Sequence, residues 1–408
     1  MTMLPRFIQI STLTTYPASL LNRDDSGLSK RIPFGGVSRT RVSSQCLKRH
    51  WRMADGLWSL QNVDKDIATS IRSRRIFPEK IEKPLIEKEG LDAEKVVAAS
   101  QALQSELYGA KGTEAAAKNK KTAKDDADAL NPSIDAQLSA ERSELVVLGH
   151  PEIQFLSKIV REMTSADGSA ADVGKKTGEW FKKHKKDFQA LKCGAGLDAA
   201  MFGRFISGDT DARVSAAVHV AHAFTVHAEE SETDYFTAVD DLNNSGSAHI
   251  NAAELTSGIF YNYVVVDVPQ LVSNIEGCPS KQWQTAQRDV AGRLVKHLLH
   301  LIATVTPGAK LGSTAPYARP WFVMAEAGES QPHTLADAFY LPVPLRGDMR
   351  AQALRQLEDY VGKSDEMYGS DERRWIASMY DVSIPRGENS SLDRMGESLE
   401  RAVVSLEL

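Results

Sequence analysis

Residues 22–52 read NRDDSGLSKRIPFGGVSRTRVSSQCLKRHWR. From Ser26 to Arg52 there are seven Lys and Arg and no Asp or Glu, a local +7 in a chain of net charge −5, so the other residues together carry −12. That asymmetry points to one surface that holds a polyanion rather than to a generally basic protein. Arg39 to Ser43 reads as the end of a strand, and Ser43 or Ser44 suits the cap of a helix that starts near Gln45. On such a helix Gln45, Lys48, Arg49 and Arg52 share one stripe, while Leu47 and Trp51 form the apolar face. Free backbone N–H groups, a positive dipole end and two cationic turns make this a phosphate cradle. Phe34-Gly35-Gly36 just upstream allows close backbone approach.

Toward the N-terminus, Phe7 to Thr14 alternates as a strand, with Phe7, Gln9, Ser11 and Leu13 on one side and Ile8, Ile10, Thr12 and Thr14 on the other. A first strand, a loop, then a basic strand and helix suit an α+β sandwich. Beyond Trp58 the chain becomes mixed and helical, punctuated by Pro78 and Pro84. Residues 109–140 are rich in Ala, Lys and Asp with few large apolar side chains, the composition of a mobile, solvated loop. Residues 151–192 are expected to be helical, and within them Lys176, Trp180 and Lys183 lie near one face as cations interleaved with an aromatic. Val214 to His227 alternates with period two, which predicts a central strand with Val218, Val220, His222, Phe224 and Val226 pointing one way. On that strand His219 and His222 face opposite sides and do not make a metal pair.

Between Val214 and Ser280 there is no Lys or Arg, while Glu229, Glu230, Glu232, Asp234, Asp240, Asp241 and Glu254 make the span acidic. Its contribution to binding a polyanion must be steric. Asn243-Asn244-Ser245-Gly246 is a turn signal, and Tyr235-Phe236 before it with Ile250 after it predict an extended hairpin carrying exposed apolar side chains. Apolar wedges of this kind unstack bases at about a few kcal/mol per step. Further on, TPGAK ends at Lys310 in a loop suited to meet a phosphate, and residues 349–364 and 391–408 read as amphipathic helices, the second capped by Ser390 or Ser391.

With 408 residues, 42% hydrophobic and 25% charged, the chain has enough material for two or three domains, or for one domain with large insertions. No run approaches the roughly 20 apolar residues of a membrane span, and no secretory signal is recognisable, so the cytoplasm is the expected compartment. Cys46, Cys193 and Cys278 are odd in number and lack a CxxC, which argues against a disulfide framework or zinc finger and suits a reducing compartment. No metal or other cofactor is expected.

NRDD, FGG and R-x-R-V-S-S-Q-x-L-K-R-x-x-R, followed in order by GRFISGD, AAVHVAHAFTVH, DYFTAVDDLNNSGSAHI, TSGIFYNY and TPGAK, resemble the CasC-type backbone subunit of the type I-E CRISPR Cascade complex, a member of the RAMP superfamily. The resemblance covers residues 5–62 and 197–312 well. It implies an RNA-recognition-like, ferredoxin-type α+β palm (1–60, 197–227 and 259–408), a helical insertion at 61–196 and a thumb at 228–258. It further implies a crRNA-binding scaffold with guide contacts at Arg23, Lys30, Arg39, Arg41, Ser43, Gln45, Lys48, Arg49, Arg52 and Lys310. Phe205, Phe236 and Ile250 match base-displacing or stacking positions, and Phe205 stands where better-known members carry Met. Lys176 and Lys183 match target-DNA contacts. The implied partners are crRNA, a target DNA strand, further copies in a head-to-tail filament, and guide-processing, large and small Cascade subunits, with no membrane.

An alternative is a metal-dependent endoribonuclease of the same superfamily, in which Asp24-Asp25 or Asp240-Asp241 would hold a divalent ion. Adjacent Asp residues are also turn formers or partners for Arg, here Arg23 and Arg31. The chain shows no nucleophile–base–acid series and no G-x-x-x-x-G-K-[ST] loop, so a non-enzymatic role is expected.

Overall fold

The computed structural model describes residues 4–65, 67, 69–109, 138–142, 144–165, 167–189, 191, 193–204, 213–239, 247–369 and 371–408, with side chains left undescribed at 238, 239 and 247–250. The chain divides into two compact units, one of Met1–Val63, Val218–Pro269 and Gln287–Leu408, the other of Asp64–Ala217 and Gln270–Ala286.

The first unit is built on β1 (Phe7–Ser19), whose two faces are both buried through most of its length. It pairs antiparallel with β9 (Ser247–Asp267) on one side and β10 (Phe322–Gly328) on the other. β9 in turn pairs with β7 (Ala223–Thr225), so the core order is β10-β1-β9-β7. Helix α1 (Ser44–Met53) lies in sequence between β1 and β7, and a helix at Asp289–Thr304 lies between β9 and β10. Antiparallel order 4-1-3-2 with a helix in each crossover is the ferredoxin-type α+β palm. β11 (Arg373–Ser378) and β12 (Gly387–Asn389) extend the sheet beyond β10, and β3 (Val37–Val42) and β2 (Arg31–Phe34) extend it beyond β7.

Each sheet face has its own cover. Leu47 and Trp51 bury the apolar stripe of α1, while Leu13, Tyr261, Tyr263 and Val265 pack with Leu354, Leu357 and Val361 of the helix Met349–Tyr368. That second face also closes over ionised groups. Arg374 donates from Nε to Glu326 at 2.7 Å and from Nη2 to Asp365 at 2.8 Å, so the buried charges are paired.

Residues 214–227 depart from the single strand expected. They form β6 (Val218–Val220) and β7, because the register on β9 slips between Val220↔Val264 and Phe224↔Tyr261. Four residues advance on one side while three advance on the other, the signature of a β-bulge. Beyond it the buried phase moves to Ala223 and Thr225, leaving His219 and His222 both exposed.

The outer part of β9 pairs with β8 (Ser231–Val239) from Ser231↔Thr256 to Val239↔Ser247. This is the extended, hairpin-like thumb. Residues 231–237 are all exposed. The turn expected at Asn243–Gly246, with Asp240 and Asp241 before it, lies outside the described residues, as does most of the 109–140 segment.

The second unit is mainly helical, with Ala93–Tyr108, His150–Thr164 and Ala170–Gln189 around a core that includes Val96, Leu103, Leu156, Val160, Val173 and Phe181. Residues 197–217 fall in this unit rather than in the palm. Asp198, fully buried, explains the attachment: its carboxylate accepts from Ser70 N at 2.6 Å and Ser70 Oγ at 2.7 Å, and Arg72 reaches it at 3.3 Å. Arg204 of the Gly203-Arg204 motif is buried on Glu152 at 2.6 Å. No helix among the described residues is long and apolar enough to cross a membrane.

Candidate nucleic-acid interface

The interface grows from the N-terminus of α1. Ser43 is the cap, its Oγ accepting from Cys46 N at 3.3 Å. Asn22 Oδ1 in turn accepts from Ser43 N at 2.9 Å, tying the NRDD loop to the helix. With Leu47 and Trp51 inward, the stripe emerges as the spacing predicts: Gln45 and Arg49 are exposed, Lys48 and Arg52 half-buried. Burial pulls the Lys48 pKa down, the expected response of an ammonium in a partly apolar wall.

Neighbouring strands bring further cations to the same place. Lys30 accepts a backbone bond from Arg41 N at 2.8 Å, and Arg41 Nη1 donates to His222 Nδ1 at 2.9 Å. Burial first, then the charges of Arg41 and Lys30, push the His222 pKa down. Burial raises the Cys46 thiol pKa, while Lys30 and Arg49 oppose it. Lys30 thus lies near Cys46 together with Arg49, and near His222 together with Arg41, around the first turn of α1. Arg23 is exposed in the loop that leads into it.

The TPGAK loop closes another side. Gly308 N donates to His50 Nε2 at 3.4 Å, and Ala309 N to Leu20 O at 2.9 Å. Lys310 Nζ then stands 5.5 Å from the ring centroid of Phe236 on the thumb, a cation–π approach that joins two predicted site residues. Phe236 is 40% exposed and Tyr235 beside it 62%. The ladder pairs Phe236 with Asn251 and Ile250 with Thr237, consecutive rungs. The Ile250 side chain and the whole of Phe205 lie outside the described residues.

Arg39 and Arg31 of the basic stretch are engaged within the protein. Arg39 is fully buried, donating to Thr225 O at 3.0 Å, Phe339 O at 2.9 Å, Phe34 O at 3.2 Å and Tyr340 O at 3.4 Å. Its guanidinium is consumed by carbonyls, which corrects its expected place among the phosphate ligands. The glycine approach is likewise internal: Gly35 has φ +62°, and a Cβ there would fall 1.6 Å from Tyr340 O. Arg31 is not the partner of Asp24-Asp25. It forks onto Glu229 and Glu254, and although burial works to lower its pKa, these carboxylates raise it overall. Asp24 is a turn former, its Oδ1 accepting from Ser26 N at 2.9 Å and Leu28 N at 3.0 Å.

Lys176 and Lys183 are exposed on the Ala170–Gln189 helix of the second unit. Trp180 lies between them on the same helix and is half-buried. It packs partly against that unit's core and stacks on His184 with centroids 4.0 Å apart, at the point where the helix bends.

The sequence matches the model of the CT1975-like protein family, Cas_CT1975, over residues 8–404. The chain belongs to that family. Among solved structures, this CT1975-like chain is similar to a chain of a "CRISPR RNA-guided surveillance complex, pre-nicking", with TM-score 0.71 and 26% identity over 96% of this chain and 100% of that one. A chain of another "CRISPR RNA-guided surveillance complex" gives TM-score 0.65 at 22% identity over 96% and 99%, a likeness of fold alone. No curated protein matches the chain.

Proposed function

We propose that this CT1975-like protein is a crRNA-binding backbone subunit of a CRISPR surveillance complex, of the type I-E Cascade class. The observation that carries the reading is the convergence of Lys30, Arg41, Arg49 and the α1 stripe at one head of the palm, with Lys310 bridging to Phe236 on an exposed ribbon. Guide phosphates run along Arg23, Lys30, Arg41, Gln45, Lys48, Arg49 and Arg52, with Lys310 at the thumb. These contacts are to backbone and carry no sequence preference; base pairing does the reading. The thumb displaces bases at intervals, and copies join head to tail through a heterologous contact that does not close, following the RNA as a filament. Lys176 and Lys183 meet the target strand, and guide-processing, large and small subunits complete the assembly.

Protein purified from cells that express a CRISPR array is expected to carry RNA of discrete length, seen as a raised 260/280 absorbance ratio and a sharp band on a denaturing gel. Absence of co-purifying RNA, together with no measurable affinity for added crRNA, defeats the reading. The role proposed is non-enzymatic. Divalent-metal-dependent cleavage of bound RNA that disappears in Asp24→Ala/Asp25→Ala would move the protein to the endoribonuclease class.

A further inference from the structure

We propose that Arg31, Glu229 and Glu254 form a latch that sets the direction in which the thumb leaves the palm, and so the point on a bound strand where its tip intrudes. The proposal rests on the guide-binding reading above and adds positioning residues to it. Lys30 and Arg31 are adjacent, yet they serve opposite ends of the site. Lys30 lies among the cations around Cys46 and His222, whereas the Arg31 fork engages one carboxylate at the root of each thumb strand. Glu229 stands two residues before β8, and Glu254 faces Thr233 across the ladder.

Both carboxylates make second attachments to the same basic hairpin. Glu229 Oε2 accepts from Ser38 Oγ at 2.8 Å, and Glu229 N donates to Ser38 O at 2.9 Å. Glu254 Oε2 accepts from Ser29 N. An isolated two-stranded ribbon is marginal in water and has little of its own to fix its direction, and residues 231–237 are all exposed, with Lys310 of the palm near the ring of Phe236. A charge-assisted fork to both strands supplies the missing constraint. Arg31 is 34% exposed, so solvent screens its side of the fork, and the effect read in the test is on geometry.

The test uses the full chain bound to crRNA. Chemical probing of base exposure is read beside the salt dependence of binding for wild type, Glu229→Gln/Glu254→Gln and Arg31→Lys. Lysine keeps the charge and cannot fork. Both variants are expected to keep the wild-type log–log salt slope while losing the regular contrast between exposed and protected bases. Unchanged contrast in the double Gln variant overturns the latch. Wild-type protein that binds crRNA with no periodic contrast overturns the thumb reading beneath it, and the latch with it. Melting curves establish folding, and should the double variant not fold, Glu254→Gln alone is read in the same way.

Discussion

β9 is one continuous strand of 21 residues that lives in two environments. Its inner half, from Thr256 to Asp267, pairs with β1 and is buried almost throughout, with Tyr261, Val264 and Val266 at 2% exposure or less. Its outer half pairs with β8 alone, and Asn251 and Ala252 are exposed. The two halves differ accordingly in sequence: SGIFYNYVVVD is aromatic and β-branched, while SAHINAAE is small and polar. The same backbone is therefore held in two ways. The palm half is held by what it buries, and the ribbon half by its ladder and by charged groups at its root.

The largest effect expected from breaking this contrast lies in the inner half. Tyr261 is buried with its Oη accepting from Leu335 N at 3.1 Å and sharing a 3.2 Å bond with Ser11 Oγ, and burial pushes its pKa up to about 12. Tyr261→Ala should cost about 3–5 kcal/mol of unfolding free energy through cavity formation. Tyr261→Phe removes only the hydroxyl and leaves the Leu335 N–H without its acceptor, at about 1–3 kcal/mol. Denaturant midpoints of the two variants read this directly, and equal midpoints would mean that packing around Tyr261 is not what holds the inner half.

Next in size is the cationic stripe. Lys48→Glu/Arg49→Glu should weaken crRNA binding alike for every guide sequence, and flatten the salt dependence by about two units of log–log slope, one per lost phosphate contact. A loss confined to particular guide sequences contradicts a backbone grip. Neither residue is part of the buried core, so the melting temperature should stay near that of wild type, in contrast to Tyr261→Ala.

Much of this was legible in the sequence, and the parts that were not share a cause. β1, the α1 stripe and the hairpin are local patterns, readable because period 2 and period 3.6 assign each residue a face before any partner is known. The bulge after Val220 was not readable, since it is set by register on β9 and the alternation through VHVAHAF continues undisturbed. Arg31 and Arg39 were counted with the other cations because a charge total is blind to partners 198 and 186 positions away. The run of acids from Glu229 onward held a signal for the Arg31 ion pairs, but by itself it says only that the span cannot grip a polyanion by charge. The Arg204–Glu152 pair was hidden in the same way. Long-range pairing, of strand register as well as of polar side chains, is the blind spot.

A smaller effect tests the palm by pH. His300 stacks on Trp58 with centroids 3.6 Å apart, and His297 meets the same ring edge-on. Burial lowers both histidine pKa values; Asp393 opposes it at His300, and the Trp58 and Ser59 carbonyls and Glu400 oppose it at His297. With the folded pKa depressed, the unfolded chain binds more protons as the medium acidifies. Stability is therefore complete above the ordinary value of 6.5 and is lost as pH falls below it. His300→Phe keeps a ring against Trp58 and removes one titration. The fall in denaturant midpoint between pH 7.5 and 5.5 should be shallower in that variant, whereas parallel curves would exclude His300 as a source of acid sensitivity.

The smallest change in affinity is expected where the change in pattern is greatest, at the exposed end of the comparison. Phe236 is on the solvent-facing ribbon and meets Lys310 across 5.5 Å, so Phe236→Ala removes one cation–π contact at an exposed site, about 0.5–1 kcal/mol. The phosphate contacts proposed for the α1 stripe are untouched, and the salt slope should be that of wild type. What should disappear is the exposure of displaced bases to chemical probes, because unstacking needs an apolar wedge and charge cannot supply one. Lys310→Ala separates the two parts of the pair: it should lower the salt slope by about one unit while the displaced bases stay reactive. If Phe236→Ala leaves base exposure intact, the outer half of β9 and its partner strand are an arm for holding another protein surface and not a wedge, and the distinction between the two halves becomes one of burial alone.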